Sequence, residues 1–288
     1  MTCKFRLSAS FAKITDDMSN DFHTNRLSAA QLEVFQRDGF LHVPGVFARQ
    51  EAAELAEHCM HLGAPGPEIQ ARYPHFQDKG YPQVGTLSTT GSESLYEITR
   101  LKWPHLFDEK TLRAALHPDV VALASQLLGD EVLMAYSMYF PKPPGMRGIA
   151  FHQDNAFLDA QPGGCLAAAI SLDPSDEKTG ALRFVPGSHD LEIQAMGEAD
   201  ESASIIPERV ELPKGAKPVT VPTESGDCVF FGGHMLHGSE PNTSPDRWRR
   251  NFIVHFVPKS RTESIYRLCN PLFSADGEEV IIGEDPRC

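Results

Sequence analysis

From Glu131 onward, the chain is a series of short β-prone runs separated by glycine and proline turns. The six runs are Val132–Phe140, Leu166–Leu172, Ala181–Val185, Val219–Val221, Cys228–Phe231 and Phe252–Val257. Pairs such as Pro143-Pro144, Pro186-Gly187 and Gly232-Gly233 lie between them. Many short strands bounded by such turns indicate a barrel or a double-sheet jelly roll. We therefore predict a mainly β core for this half of the chain.

The preceding part of the chain has helical patterns. Ser28 followed by Gln31 forms a capping box, and Gly39 is placed to end the helix that follows. Further helices are predicted at Ala48–Leu62 and Pro118–Leu128. Helices first and strands afterwards indicate a β core with flanking helices.

We divide the sequence accordingly into a leader and one domain. Residues 1–27 lack an apolar signal-peptide core and are expected to be a disordered leader. Residues 28–288 are expected to form a single domain, with helical support and an irregular segment over 28–130 and the β core over 131–288. Within the helical part, residues 64–95 are predicted to be a long irregular segment, and such segments often lie over a binding or active site.

Composition excludes several classes of protein. The net charge is −13, which makes nucleic acid a poor partner. No run of eighteen apolar residues is present, so no membrane span is expected. The six cysteines form no CxxC pair, which favours a reducing, cytoplasmic location. Oligomeric state is left open.

The tripeptide His152-Gln153-Asp154 is the first candidate site. Residues i and i+2 of a strand point to the same face, so His152 and Asp154 can present an imidazole and a carboxylate to one cavity. Two histidines and one carboxylate with open positions are typical of non-haem Fe(II) oxygenases. Such a site requires a further histidine from a distant strand.

A second cluster of polar residues follows the run Cys228–Phe231. His237 is one candidate for the third ligand and His234 is the alternative. Arg249 lies just before the last β run and could hold a dicarboxylate in a bidentate way, with Arg247 as the alternative. Ser239 is placed to supply a nearby hydroxyl.

The combination of motifs resembles the phytanoyl-CoA dioxygenase family of Fe(II)/2-oxoglutarate oxygenases. The matching stretches are Arg37-Asp38-Gly39-Phe40, Lys142-Pro143-Pro144-Gly145, His152-Gln153-Asp154, Gly180-Ala181-Leu182, Pro186-Gly187-Ser188-His189, Gly226-Asp227, His237-Gly238-Ser239, Asn242 and Arg249-Arg250. The resemblance extends over roughly residues 28 to 270 and implies a double-stranded β-helix, a jelly-roll and cupin-like core.

The resemblance also implies roles for individual residues. His152, Asp154 and His237 would bind Fe(II), and Arg249 with Ser239 would bind the distal carboxylate of 2-oxoglutarate. The spacing of His237 to Ser239 and to Arg249 favours them over His234 and Arg247. The implied reaction uses 2-oxoglutarate and O2 as cosubstrates and hydroxylates a small-molecule substrate, releasing succinate and CO2.

Two other functions are compatible with the same fold, and other histidines and a lysine compete for roles in the site. A cupin-like metal-dependent isomerase or hydrolase, or a non-catalytic small-molecule binding protein, could use the same barrel, but neither needs Ser239 and Arg249. His255 is predicted to be a hydrogen-bonded core histidine, and His189 a structural turn residue. Lys142 is predicted to be a solvated lysine at the barrel mouth.

Overall fold

The computed structural model describes residues 26–62, 67–72, 100–158, 163–264 and 271–282. The helices are α1 Ala29–Asp38, α2 Arg49–Met60, α3 Pro67–Arg72, α4 Glu109–Ala115, α5 Pro118–Leu128 and α6 Asn155–Leu158. Short 3-10 helices occupy Pro104–Leu106, Ser188–Asp190 and Lys259–Ser264. The strands are β1 Phe40–Val43, β2 Leu101–Lys102, β3 Val132–Lys142, β4 Ile149–His152, β5 Leu166–Ser171, β6 Leu182–Phe184, β7 Met196–Glu198, β8 Glu208–Val210, β9 Val219–Thr220, β10 Cys228–Gly232, β11 His237–Ser239, β12 Arg249–Pro258, β13 Leu272–Phe273 and β14 Glu279–Val280.

The helix ends follow the local sequence signals. Ser28 and Gln31 form the predicted capping box of α1, and Gly39 ends this helix in the left-handed conformation with φ 81°. Gly129 ends α5 in the same way with φ 65°. The sequence interpretation missed α4, which Asp108 caps by accepting from Thr111 N.

Two antiparallel sheets form the core, and they are the two layers of a jelly roll. The larger sheet has the order β1-β10-β5-β12-β3-β13-β14, with β2 also paired to β3. The smaller sheet has the order β4-β11-β6-β9. The prediction of a mainly β jelly-roll core with flanking helices is confirmed.

The two faces of the larger sheet pack against different partners. Its outer face forms a large apolar core with the helices, to which Ala168, Phe230 and Phe252 contribute. Its inner face forms a smaller cluster in which Ala169 and Phe231 lie with Phe184 of the smaller sheet. Alternate residues of β5 and β10 therefore face opposite sides, as the period of a β-strand requires.

A hairpin of β7 and β8 is attached to β4. Gly148 N donates to Ala203 O at 2.8 Å, and Ile205 N donates to Gly148 O at 3.0 Å. The hydroxyl of Ser204 accepts from Ala150 N at 3.0 Å. This hairpin occupies most of the acidic stretch 190–216 and supports the strand that carries His152.

Some of the segments predicted from sequence fall outside the described residues. These are residues 1–25 of the expected leader and most of the segment 64–95. Leu27, which the prediction placed in the leader, is buried in the helix-side core and bonds through its backbone N–H to Gln126. None of the helices in the described ranges has the length and apolarity needed to cross a bilayer.

Candidate active site

His152 and His237 are opposite each other in the smaller sheet. Strands β4 and β11 are antiparallel, and their register pairs these two residues directly. Their rings are 4.2 Å apart between centroids. Phe231 packs on the His237 ring at 4.5 Å and limits its rotation. The strand pairing therefore brings together two histidines that are 85 positions apart in the sequence.

The hydrogen bonds of both histidines leave the same nitrogen free. His152 Nδ1 donates to Ala150 O at 2.9 Å, and His237 Nδ1 donates to Met235 O at 3.0 Å. A proton on Nδ1 leaves the lone pair of each imidazole on Nε2. A backbone partner of this kind is the usual support of a metal-binding histidine.

Asp154 completes a cluster with these two side chains. Its Oδ1 lies 3.5 Å from His152 Nε2 and 3.7 Å from His237 Nε2. One ligand atom from each of the three residues lies within 4.8 Å of the other two. Two nitrogens and one oxygen in this arrangement fit the donor set that non-haem iron prefers.

Asp154 joins the cluster, but the prediction that it lies on the same face of one strand as His152 is wrong. Strand β4 ends at His152, and Asp154 lies in the turn that leads into α6. Gln153, the residue between them, is fully buried and accepts from Gln194 N at 2.8 Å while donating to His234 O at 2.8 Å. The turn anchored by Gln153, rather than strand alternation, orients the carboxylate.

The burial of the cluster changes the pKa values of its members. Burial, with the neighbouring His152, lowers the pKa of His237 to about 4, so this imidazole is neutral near pH 7. Burial opposes ionisation of Asp154, but the neighbouring imidazoles of His237, His152 and His255 hold the pKa of this carboxyl well below its usual range. Neutral imidazole and ionised carboxylate are the forms that bind a metal.

His255 supports Asp154 from the other side. Its Nε2 lies 3.0 Å from Asp154 Oδ2, whereas Oδ1 faces the two histidines of the cluster. His255 belongs to β12, is 4% exposed, and has a buried Nδ1 atom that no other described residue bonds. The prediction of a hydrogen-bonded core histidine is confirmed, but its partner is a candidate metal ligand. An inward-facing polar residue in an otherwise apolar strand was the available sequence signal.

Arg249 lies inside the barrel and Arg247 outside it. Arg249 begins β12, is 1% exposed, and lies over the Phe140 ring. Within the described ranges, no carboxylate pairs with Arg249, and burial lowers the pKa of its guanidinium to about 10. Arg247 is on the surface, where it forms an ion pair with Asp176 at 2.9 Å. Of these two arginines, Arg249 is therefore the one whose side chain is buried within the barrel.

Lys142 is buried, so the prediction that it is solvated is wrong. Its Nζ donates to Ser239 Oγ at 2.8 Å, to Glu240 O at 2.8 Å and to Gly180 O at 3.2 Å. Burial and the nearby Arg249 lower the pKa of this amine well below its usual value. The Pro-Pro-Gly turn after Lys142 suggested a surface position, but the last residue of β3 faces inward.

The remaining candidate histidines lie away from the cluster. His234 Nδ1 donates to Leu191 O at 2.9 Å, and His234 is not part of the group that could hold a metal. His189 lies in the turn after β6 and packs against Gly39, with Nε2 3.1 Å from Gln36 O. The structure thus brings together His152, Asp154 and His237, the three residues that the sequence interpretation preferred.

Comparisons with known proteins show the family of the chain. The family model described as phytanoyl-CoA dioxygenase (PhyH) matches residues 35–251. The ectoine dioxygenase of Bordetella bronchiseptica is 28% identical over 247 residues, covering 80% of this chain and 75% of its own. Phytanoyl-CoA dioxygenase domain-containing protein 1 of Mus musculus is 26% identical over 283 residues, covering 82% and 92%.

Solved structures show the same fold at lower identity. The epimerase SnoN, in complex with Fe3+, α-ketoglutarate and nogalamycin RO, superposes with a TM-score of 0.58 at 22% identity, covering 80% of this chain and 82% of its own. The apo form of EctD from S. alaskensis superposes with a TM-score of 0.59 at 21% identity, covering 82% and 78%. With the family model matching well over half of the sequence, the chain belongs to the phytanoyl-CoA dioxygenase family of non-haem iron, 2-oxoglutarate-dependent dioxygenases.

Proposed function

We propose that this protein hydroxylates an unactivated C–H bond of a small-molecule metabolite or natural product, with release of succinate and CO2. In this proposal His152, Asp154 and His237 hold Fe(II), while Arg249 and Ser239 hold the distal carboxylate of 2-oxoglutarate. The observation that carries the proposal is the convergence of the three ligand atoms within 4.8 Å.

The chain's own residues prepare the iron site. When bound, Fe(II) supplies the activation of O2 and the oxidative decarboxylation of 2-oxoglutarate. The backbone carbonyls of Ala150 and Met235 keep a proton on Nδ1 of His152 and His237, respectively. Three protein ligands leave the remaining coordination positions for cosubstrates.

The buried cation at the start of β12 supports the role of 2-oxoglutarate. A guanidinium binds a carboxylate through two parallel hydrogen bonds, which fixes the orientation of the bound acid. Arg249 is 1% exposed and has no carboxylate partner among the residues described. Burying such a charge is costly unless an anion joins it. The buried guanidinium of Arg249 favours a dioxygenase over a cupin-like isomerase or hydrolase, because neither of these needs a buried cation to bind the carboxylate of a cosubstrate.

Apolar side chains near the cluster support a substrate with an apolar part. Phe157 of α6 is 43% exposed, and its ring lies edge-on to His152 at 5.9 Å between centroids. Ile193 is 40% exposed and lies between two residues that bond to Gln153. Exposed apolar groups beside a polar site commonly contact a ligand.

The proposal is tested first with the iron and 2-oxoglutarate alone. Anaerobic protein mixed with Fe(II) and 2-oxoglutarate should develop the weak visible band of the chelate, and Asp154→Ala should abolish it. Candidate metabolites, ectoine among them, are then screened in air for succinate and for a product heavier by one oxygen. Absence of the band in folded wild-type protein would contradict the proposed function. Formation of product without succinate would favour a different metal-dependent reaction.

A further inference from the structure

Lys142 and Arg249 form a pair of buried cations at one end of the barrel. The antiparallel register of β3 and β12 places these two residues directly opposite each other. Directly opposite residues of a sheet point to the same face. Lys142 is 0% exposed and Arg249 is 1% exposed. The nearby carboxylate of Glu240 is paired with Arg183 instead.

The surroundings of Lys142 provide neutral acceptors rather than a counter-charge. Within the described part of the chain, no carboxylate forms an ion pair with Lys142; two of its acceptors are the carbonyls of Gly180 and Glu240. Gly180 has a positive φ of 72°, and a Cβ there would lie 2.2 Å from Glu240 O and 2.9 Å from Lys142 Nζ. A side chain at this position would therefore prevent the lysine from reaching its acceptors. Two adjacent buried cations that have no carboxylate partner among the described residues indicate a site that is completed by a bound anion.

The third hydrogen bond of Lys142 determines what Ser239 can do. Lys142 Nζ has three acceptors, of which Ser239 Oγ is one, at 2.8 Å. Although burial lowers the pKa of this amine, only its ammonium form has a proton for each of the three acceptors. Because Ser239 accepts from the lysine, its own hydroxyl proton is free to be donated elsewhere. Without the ammonium group, this hydroxyl could instead donate to a neighbouring carbonyl.

We infer that Lys142 is a positioning residue for the cosubstrate, an inference that rests on the proposed function. It directs the hydroxyl proton of Ser239 toward the distal carboxylate of 2-oxoglutarate and adds a second positive charge beside Arg249. The effect is specific to an acid with a distal carboxylate, because the oxo-acid end would be held by the metal at His152, Asp154 and His237. A lysine that only stabilises the fold would affect all 2-oxo acids alike.

The test compares two 2-oxo acids. The affinities of anaerobic, Fe(II)-loaded protein for 2-oxoglutarate and for 2-oxopentanoate, which lacks the distal carboxylate, are measured from the visible band of the chelate. Lys142→Met should weaken the binding of 2-oxoglutarate by about 10- to 100-fold, the effect of losing a hydrogen bond to a charged group. The same variant should leave the binding of 2-oxopentanoate unchanged. Lys259→Met, which removes an exposed lysine paired with Glu131, is the control and should match the wild type for both acids.

Each result decides the inference. Unchanged binding of 2-oxoglutarate by folded Lys142→Met, or equal losses for both acids, overturns it. Because the loss of a buried lysine can prevent folding, Ser239→Ala serves as a second test. This variant should also lose the preference for 2-oxoglutarate, and retention of the wild-type preference overturns the inference. If the wild-type protein binds 2-oxopentanoate but shows no preference for 2-oxoglutarate, the inference fails while the metal site stands. If it binds neither acid, the proposed function fails.

Discussion

His255 should determine how tightly the site holds its metal, although it is not itself a ligand in the proposed site. It donates through Nε2 to Asp154 Oδ2 at 3.0 Å, and Oδ1 of the same carboxylate faces the two histidines. Replacing His255 with Phe removes the donor and leaves Oδ2 without this partner in a buried position. The carboxylate then loses the contact that holds Oδ1 toward the metal.

The size of the effect follows from this single contact. A hydrogen bond to a charged group contributes about 1.5–3 kcal/mol. Since about 1.4 kcal/mol corresponds to a tenfold change in affinity, His255→Phe should weaken metal binding by about 10- to 100-fold. Hydrogen-bond partners of metal ligands typically have effects of about this size. His255→Gln keeps an N–H group at a similar reach and should recover most of the affinity.

The assay is a direct titration of the metal-free protein with Mn(II) or Co(II), in which binding is monitored by calorimetry or electron paramagnetic resonance. Thermal unfolding of each variant without metal is measured beside it, so that a general loss of stability is recognised. Wild-type metal affinity in a folded His255→Phe variant would refute the reasoning. A larger loss in the Gln variant than in the Phe variant would show that ring packing against Tyr136, 5.5 Å away, matters more than the hydrogen bond.

Three further predictions concern the buried cation Arg249, the buried carboxylate Asp227 and the close contact at Gly180. Arg249→Met should raise the 2-oxoglutarate concentration needed for half-maximal succinate formation by about 100-fold or more, whereas Arg247→Met should match the wild type; the reverse result would contradict the assignment. Asp227→Asn should destabilise the fold by about 2 kcal/mol at pH 7, because this buried carboxylate accepts three hydrogen bonds. Those bonds outweigh burial, which by itself raises the pKa of Asp227, and hold this pKa below its usual value. The difference in unfolding free energy between the wild type and Asp227→Asn, measured by denaturant unfolding, should therefore shrink as pH falls below about 4. A difference that stays constant with pH would contradict this role of Asp227. Gly180→Ala should cost about 2 kcal/mol or more in the same assay, because a Cβ there meets Glu240 O at 2.2 Å, and an unchanged midpoint would exclude this clash.

The sequence was informative wherever the signal was local. The cap of α1 at Ser28 and its end at Gly39 lie where the sequence predicts them, because the residues that satisfy the helix ends are neighbours in the chain. Strand β12 was recognised from Phe252 to Val257 but begins three residues earlier, at Arg249. This extension is an effect of pairing with β3, which a local pattern does not contain.

In the candidate site too, local sequence patterns identified residues whose arrangement depends on the pairing of distant strands. His152 and Asp154 were found from their spacing, but the strand argument for Asp154 failed because β4 ends at His152. The preference for His237 over His234 came from its spacing to Ser239. The structural basis for His237 is its pairing with His152 across two strands.

By itself, the sequence determined the class of fold, the positions of the longest strands and helices, and the residue types available for a metal and an anion. Only the tertiary structure decided which of these residues meet. Lys142 was expected in solvent, yet it is buried between Arg249 and Ser239, which lie 107 and 97 positions away from it, respectively. The physical reason is that burial and electrostatic neighbours depend on strand register and sheet packing. Those are set by contacts between residues far apart in the chain.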